Sequence, residues 1–247
     1  MKISVITAVY NNRYTICDAL DSALSQVGVD VELVVIDGGS KDGTVNLLHN
    51  YSSQLGVMVS ERDNGIYDAL NKGISHSSGE VIGFLHSDDL FADEQALARV
   101  ADAFSDPKVD AVYGDLVYVH KDNTDKVIRY WQSGEYSPER LGWGWMPPHP
   151  TFYVRRSVYE RLGVFDTSFK IAADYDCMVR FLSRGIRVAY IPETQVKMRV
   201  GGESNRSLKN ILRKSSEDYR VLRRHGVGGM GALVWKNLSK VSQFFRR

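Results

Sequence analysis

Apolar and polar positions fall into blocks along the first half of the chain, and the period changes from block to block. Lys2 to Val9 is an apolar run rich in β-branched residues, long enough for one buried strand. Residues 14–24 switch to helical spacing, with Ile16, Ala19, Leu20, Ala23 and Leu24 apolar. The alternation continues, predicting strands at 31–36, 57–60, 81–85 and 110–113 and helices at 42–51, 67–76 and 94–104. Strands alternating with helices imply a mostly parallel sheet covered on both faces. Right-handed crossovers then gather the loops after the strands on one edge.

From Gly114 the pattern changes. Residues 115–120 and 127–131 read as a hairpin around Asp122 and Asn123. Residues 134–150 are rich in Gly, Pro and aromatics, including Trp143 and Trp145, and read as a functional loop. Helices are expected at 155–162 and 174–184, and a strand at 187–191. From Ser207 the tail reads as two helical pieces broken near 226–231. The G-x-G-x-x-G pattern at that break follows a basic helix, so the dinucleotide-binding context is missing.

Composition narrows this little: 247 residues, 43% hydrophobic and 25% charged, suit one large α/β domain or two small ones. No run approaches the roughly 20 apolar residues of a transmembrane helix. The N-terminus reads as a strand and lacks a signal-peptide pattern. Cys17 and Cys177 both sit in helical patterns, so a reducing cytoplasm is expected and the sequons at Asn205 and Asn237 carry no meaning. Charge is uneven. Residues 206–247 hold eleven Lys or Arg against two Asp or Glu, a net of +9 in a chain of +1, which leaves −8 on residues 1–205. The tail includes Trp235, Leu238, Val241, Phe244 and Phe245 interleaved with Lys236, Lys240, Arg246 and Arg247. Such a helix suits an anionic membrane surface, or equally packs on the domain with its charges in water.

Candidate chemistry collects at the strand ends. Residues 81–85 run into His86, Ser87, Asp88 and Asp89. Adjacent carboxylates at a buried strand tip need a cation or donors, or else one of them caps the helix expected near Ala92. Oxygen ligands favour Mg²⁺ or Mn²⁺. Strand one ends in Thr7-Ala-Val-Tyr10-Asn11-Asn12 and strand two in Asp37-Gly38-Gly39-Ser40. Asp37 can accept a base N–H and Tyr10 can stack on a base; the same Asp-Gly-Gly also makes a tight turn into a helix.

Five stretches in order, TAVYNN, VVIDGGSKDGT, SERDNGIYDALNKGI, FLHSDD and IAADYDCMVRF, resemble the family 2 inverting glycosyltransferases of the GT-A fold. The branch most similar adds sugars to bacterial capsule, O-antigen or colanic-acid repeat units. The resemblance covers residues 3 to about 205 and implies a Rossmann-like, mostly parallel sheet with a C-terminal acceptor region and a helical tail. It divides the chain into a transferase domain, 1–205, and a basic tail, 206–247. Within the domain, 1–114 would bind the nucleotide-sugar and 115–205 the acceptor.

By that resemblance Asp174 is the general base and Asp89 the metal ligand, with Mn²⁺ or Mg²⁺ as cofactor. Asp88 lies near the donor sugar, Asp37 contacts the base, and Thr7, Tyr10, Asn11 and Gly38 line the donor site. Arg199, in a Gly-rich stretch with Gly201 and Gly202, would hold phosphate. His149, Trp145 and Asp176 are candidates for the acceptor side, and Asp176 is the second choice of base. Two positions depart from the pattern. Ala173 stands where many members carry an acidic residue, and Leu70 precedes Asn71-Lys72-Gly73 where an Arg is usual. Asp68, one turn from Lys72, is a candidate polar contact there.

The expected activity is transfer from a nucleotide-diphosphate sugar, UDP- before GDP-, to a saccharide or lipid-linked acceptor, without nucleic acid. Two other readings stay open. One is a haloacid-dehalogenase-type phosphotransferase using Asp37, although that class wants a second Asp where Gly39 stands. The other is a non-catalytic nucleotide-sugar-binding module.

Overall fold

The computed structural model describes residues 1–201 and 208–238. Gly202 to Ser204 and the tail beyond Leu238 therefore lie outside the described residues. One nine-stranded sheet runs through the molecule. Its first half is parallel, in the order β3 (Val57–Ser60), β2 (Asp30–Asp37), β1 (Lys2–Val9), β4 (Val81–Phe84). Next comes the short antiparallel β8 (Tyr153–Arg155), then β6 (Ala111–His120), β9 (Val188–Arg199) and β5 (Leu90–Phe91). The strand β7 (Asn123–Trp131) pairs with β6 as an antiparallel hairpin.

Side chains alternate across the sheet and feed two cores, because successive residues of a strand point to opposite faces. On one face Ile6, Val34, Ile36, Ile82 and Phe84 pack on α3 (Ile66–His76), α6 (Arg156–Leu162) and α7 (Ala173–Ser183). On the other, Ile3, Val5, Leu33 and Val35 meet α1 (Ile16–Leu24), α2 (Thr44–Asn50) and α4 (Ala96–Ala103). The expected α/β architecture with helices on both faces is thus present. Val221 and Leu222 of α8 (Leu208–Arg224) and Ala232 and Leu233 of α9 (Met230–Leu238) join the first core. The break between α8 and α9 falls where the glycines predict it.

The second half of the sheet departs from expectation. Gly114 does not end a strand: β6 continues through it, and the register with β9 shifts between Gly114 and Asp115. A Cβ at Gly114 would meet the Gln195 side chain, so the bare backbone lets β9 approach. β9 likewise runs past Pro192 to Arg199, because Pro192 and Glu193 loop out of the ladder between Ile191 and Thr194. No helix starts near Ala92. Asp88 and Asp89 lead into β5, and α4 begins at Ala96 after Gln95. The 134–150 loop holds one helical turn, α5 (Pro138–Leu141), and ends in a 3₁₀ turn, His149–Thr151.

Candidate active site

Hydrogen bonds lace the carboxyl ends of β1, β2 and β4 together. Asn11 takes a left-handed conformation (φ 48°), which Asn tolerates. Its N–H donates to Ser40 Oγ at 2.7 Å, and its Oδ1 accepts the Lys41 N–H at 2.8 Å. The next residue, Asn12, donates through Nδ2 to Ser87 Oγ (2.9 Å) and to the Ser87 carbonyl (3.1 Å). The Asp37 loop and the Asp88–Asp89 loop are therefore fastened to the same strand end.

Asp37 is fully buried (0% exposed). Its Oδ2 accepts the N–H groups of Gly39 and Ser40, both at 3.0 Å, and the Ser60 hydroxyl at 2.7 Å. Its Oδ1 is buried with no partner. Unpaired buried acceptors are costly, so an oxygen left open at a strand tip is a natural ligand contact. Tyr10, 64% exposed, stands beside it. A Cβ at Gly38 would press on Asp63 Oδ2 and touch the Tyr10 ring, so the glycine lets both side chains lie close to the turn. Asp63 was not singled out from sequence, although it lies inside the quoted RDNG stretch. Thr7 is buried in β1.

Asp89 is 1% exposed, and its Oδ1 accepts the Arg199 N–H at 3.1 Å. Its Oδ2 has no partner. Burial, then the neighbouring Asp88 charge, pushes its carboxyl well above the usual carboxylate range. A cation relieves both effects. Among the described residues no cluster of three or more His, Cys, Asp or Glu could hold a metal alone. Mg²⁺-type sites need only one or two carboxylates plus substrate phosphates. The orphaned Asp89 oxygen beside Asp88 fits that kind of site.

Asp174, half-buried, is the second residue of α7. The Tyr67 hydroxyl donates to the Ile171 carbonyl at 2.6 Å and lies 3.1 Å from Asp174 Oδ1. His149 stacks on Phe84, the last residue of β4, with ring centroids 5.1 Å apart, and its ring lies 5.9 Å from that of His86. Burial lowers the His149 pKa to about 4, with Asp174 pulling it up and His86 pushing it down. The Tyr67 ring meets Phe165 at 5.7 Å, and Phe165 meets both Phe84 (5.4 Å) and His149 (5.7 Å), so Asp174 joins the end of β4 through these rings. His149 Nε2 is buried without a partner. Tyr67 and His86 had no sequence-based role.

Other expectations need correction. Asp176 is fully buried and bonds Arg180 (3.2 Å) and His225 Nε2 (2.9 Å), so it cannot face an acceptor. The Arg199 guanidinium is engaged by Asp18 (2.6 Å) and the Asp88 carbonyl (2.8 Å); it braces the carboxylate turn instead of lying open to phosphate. Asp68 accepts the Asn64 N–H at 2.9 Å, and Lys72 reaches Glu61 at 2.6 Å more closely than Asp68 at 3.8 Å. Trp145 packs against Tyr113 and Tyr136, with its Nε1 donating to the Ser133 carbonyl. Lys236 is buried and paired with Asp218 at 2.9 Å, so it is absent from any basic surface.

Against known families, the profile described as Glycosyl transferase family 2 matches residues 4–171. The chain belongs to that family. It is therefore a glycosyltransferase, as its motifs imply. A PGL/p-HBAD biosynthesis glycosyltransferase of Mycobacterium bovis is 29% identical over 184 residues, covering 73% of this chain and 69% of that protein. An uncharacterized glycosyltransferase of Rickettsia typhi is 28% identical over 228 residues, covering 89% of this chain and 70% of that one. Among solved structures, S. aureus TarS 1–349 in complex with UDP-GlcNAc aligns with a TM-score of 0.71 at 20% identity. The match covers 92% of this chain but only 66% of TarS 1–349. The mannosyltransferase PcManGT of Pyrobaculum calidifontis, in complex with GDP-Man and Mn²⁺, aligns at 0.68 and 20% identity, over 98% of this chain and 69% of that one. At such identities the likeness speaks for the GT-A fold.

Proposed function

We propose that this family member is an inverting glycosyltransferase that uses a nucleotide-diphosphate sugar, with UDP-sugar favoured over GDP-sugar. The acceptor is a hydroxyl of a saccharide or lipid-linked saccharide in surface polysaccharide synthesis. One chain of contacts carries the reading: Asn11–Ser40 and Asn12–Ser87 tie the Asp37 and Asp88–Asp89 loops to the end of β1, and Asp174 joins them through Tyr67, whose ring meets Phe165 and through it Phe84 at the end of β4. Open α/β sheets bind ligands at that edge. The donors present in the TarS and PcManGT structures support the donor class.

In this reading Asp37 Oδ1 accepts the ring N–H of the base, and Tyr10 stacks on its face. Asp88 and Asp89 would hold Mg²⁺ or Mn²⁺, which supplies charge neutralisation at the diphosphate. Asp174 takes the proton from the acceptor hydroxyl as that oxygen bonds to the anomeric carbon. The bond from that carbon to the diphosphate oxygen breaks, and the nucleoside diphosphate leaves with the electron pair. A single displacement inverts the anomeric centre.

Asp174→Asn tests this. Nucleotide release from UDP- and GDP-sugars with Mn²⁺ should fall by about 10²- to 10⁴-fold, with donor binding retained. Wild-type turnover in the variant would end the assignment. A non-catalytic binding module would release no nucleotide in either form.

The tail proposal shifts to a surface on α9. Trp143 (59% exposed) and Trp235 (51%) meet at 5.9 Å, beside exposed Met230, Val234 and Leu238. With the +9 stretch in which α9 lies, this face suits an anionic bilayer. Flotation with anionic but not neutral vesicles, lost in Trp143→Ser/Trp235→Ser, is the expected result. Equal flotation of both forms removes the idea.

A further inference from the structure

The turn that delivers Asp174 is held from a part of the chain beyond the family match. Residues 170–172 precede α7, and their three N–H groups converge on one carboxylate. Glu217, in the middle of α8, accepts from Lys170 (3.1 Å), Ile171 (2.8 Å) and Ala172 (3.0 Å). Ile171 is gripped from the other side as well, since its carbonyl accepts the Tyr67 hydroxyl. That hydroxyl is the group that touches Asp174 Oδ1. The backbone two and three residues before Asp174 is thus clamped between α3 and α8.

α8 is itself anchored on the C-terminal side of Glu217. Towards its C-terminal end, His225 bonds Asp176 and Arg224 pairs with Asp166 at 2.6 Å. The next residue, Asp218, forms its ion pair with Lys236 of α9, both side chains buried. The Lys236 ammonium sits 3.1 Å from the centre of the Tyr175 ring, next in sequence to Asp174. Carboxylates that collect several backbone N–H groups fix the local path of the chain. Misplacing a reacting group by about 1 Å can cost on the order of 10²-fold in rate.

We infer that Glu217 is a positioning residue for the Asp174 carboxylate, and that α8 and α9 form part of the catalytic apparatus by holding the 170–172 turn. This rests on Asp174 being the general base. Glu217 touches neither donor nor acceptor in this role. Its loss should therefore lower kcat and spare donor KM.

The test compares Glu217→Gln, Glu217→Asp and Asp174→Asn in the full chain. Nucleotide release is followed from UDP-GlcNAc and from GDP-mannose with Mn²⁺ and water as acceptor, beside amide hydrogen exchange at residues 170–173. Glu217→Gln keeps the shape but turns an N–H toward the three donors. It should lower kcat at least tenfold, leave donor KM within twofold, and speed exchange at 170–172 alone. Glu217→Asp, which keeps the charge, should recover part of the rate. Unchanged kcat, or faster exchange throughout with KM and kcat worsening together, would overturn the positioning role. If Asp174→Asn keeps wild-type turnover, the base assignment falls on its own. If Asp174→Asn is inactive while Glu217→Gln matches wild type, only the clamp falls.

Discussion

His149 makes acid stability a direct probe of the site. Its imidazole is buried against Phe84 and Phe165, with Nε2 unpaired. Burial depresses its pKa from 6.5 to about 4 even though Asp174 favours the charged form. The unfolded chain therefore binds more protons between those two values, and stability rises with pH across that window. The contribution is fully present above pH 6.5 and lost as pH falls through about 4. At about 1.4 kcal/mol per pH unit, the gap amounts to roughly 3 kcal/mol. Asp89 acts in the opposite sense, because its raised pKa lets the folded state gain a proton first. His149→Gln removes the first effect and keeps the second. Urea unfolding of both proteins at steps from pH 7.5 to 4 gives a difference curve in which Asp89 largely cancels. Wild type should lose about 3 kcal/mol relative to His149→Gln across those steps. A flat difference would refute the argument that His149 is held neutral.

Two further outcomes follow from the same geometry. Asp89→Asn should abolish the Mn²⁺-dependent part of any thermal shift produced by a nucleotide-sugar, whose whole stabilisation is about 2.7 kcal/mol when free ligand is at 100 times its Kd. Gly83→Ala places a methyl group into the Tyr153 ring, which is wholly buried between β4 and β6. Overpacking there should cost about 1–3 kcal/mol in chemical denaturation, with Tyr153→Leu in the same chain restoring most of it.

The parallel half of the sheet was legible because its strands are buried on both faces. Such strands read as continuous β-branched runs bounded by helical periods. The second half was hidden by its own punctuation. Gly114 and Pro192 are ordinary stop signals, yet here they sit at one register shift where β6 and β9 slip past each other. β8 has three residues and β5 two, too short for any period to show. Site residues divide in the same way. Asp37, Asp88 and Asp89 end apolar runs, so chain order alone brings them to one edge. Glu217 gave no signal, because its partners are backbone N–H groups 45 to 47 positions away.

Asp174 and Asp176 show why spacing could not choose between two acids at one helix start. At 3.6 residues per turn they point about 160° apart, so they face nearly opposite sides of the helix. What decides is the neighbour on each side. Tyr67 of α3 reaches Asp174, whereas His225, just after α8, and Arg180 of α7 itself enclose Asp176. A buried carboxylate with two cationic or imidazole partners serves as an anchor, and removing such a partner leaves an uncompensated charge. The same helix turn thus carries a half-buried acid beside Tyr67 and a buried acid that ties down the end of α8. With Asp176 fastened to His225, Glu217 is kept against the 170–172 turn, and the two acids become parts of one arrangement.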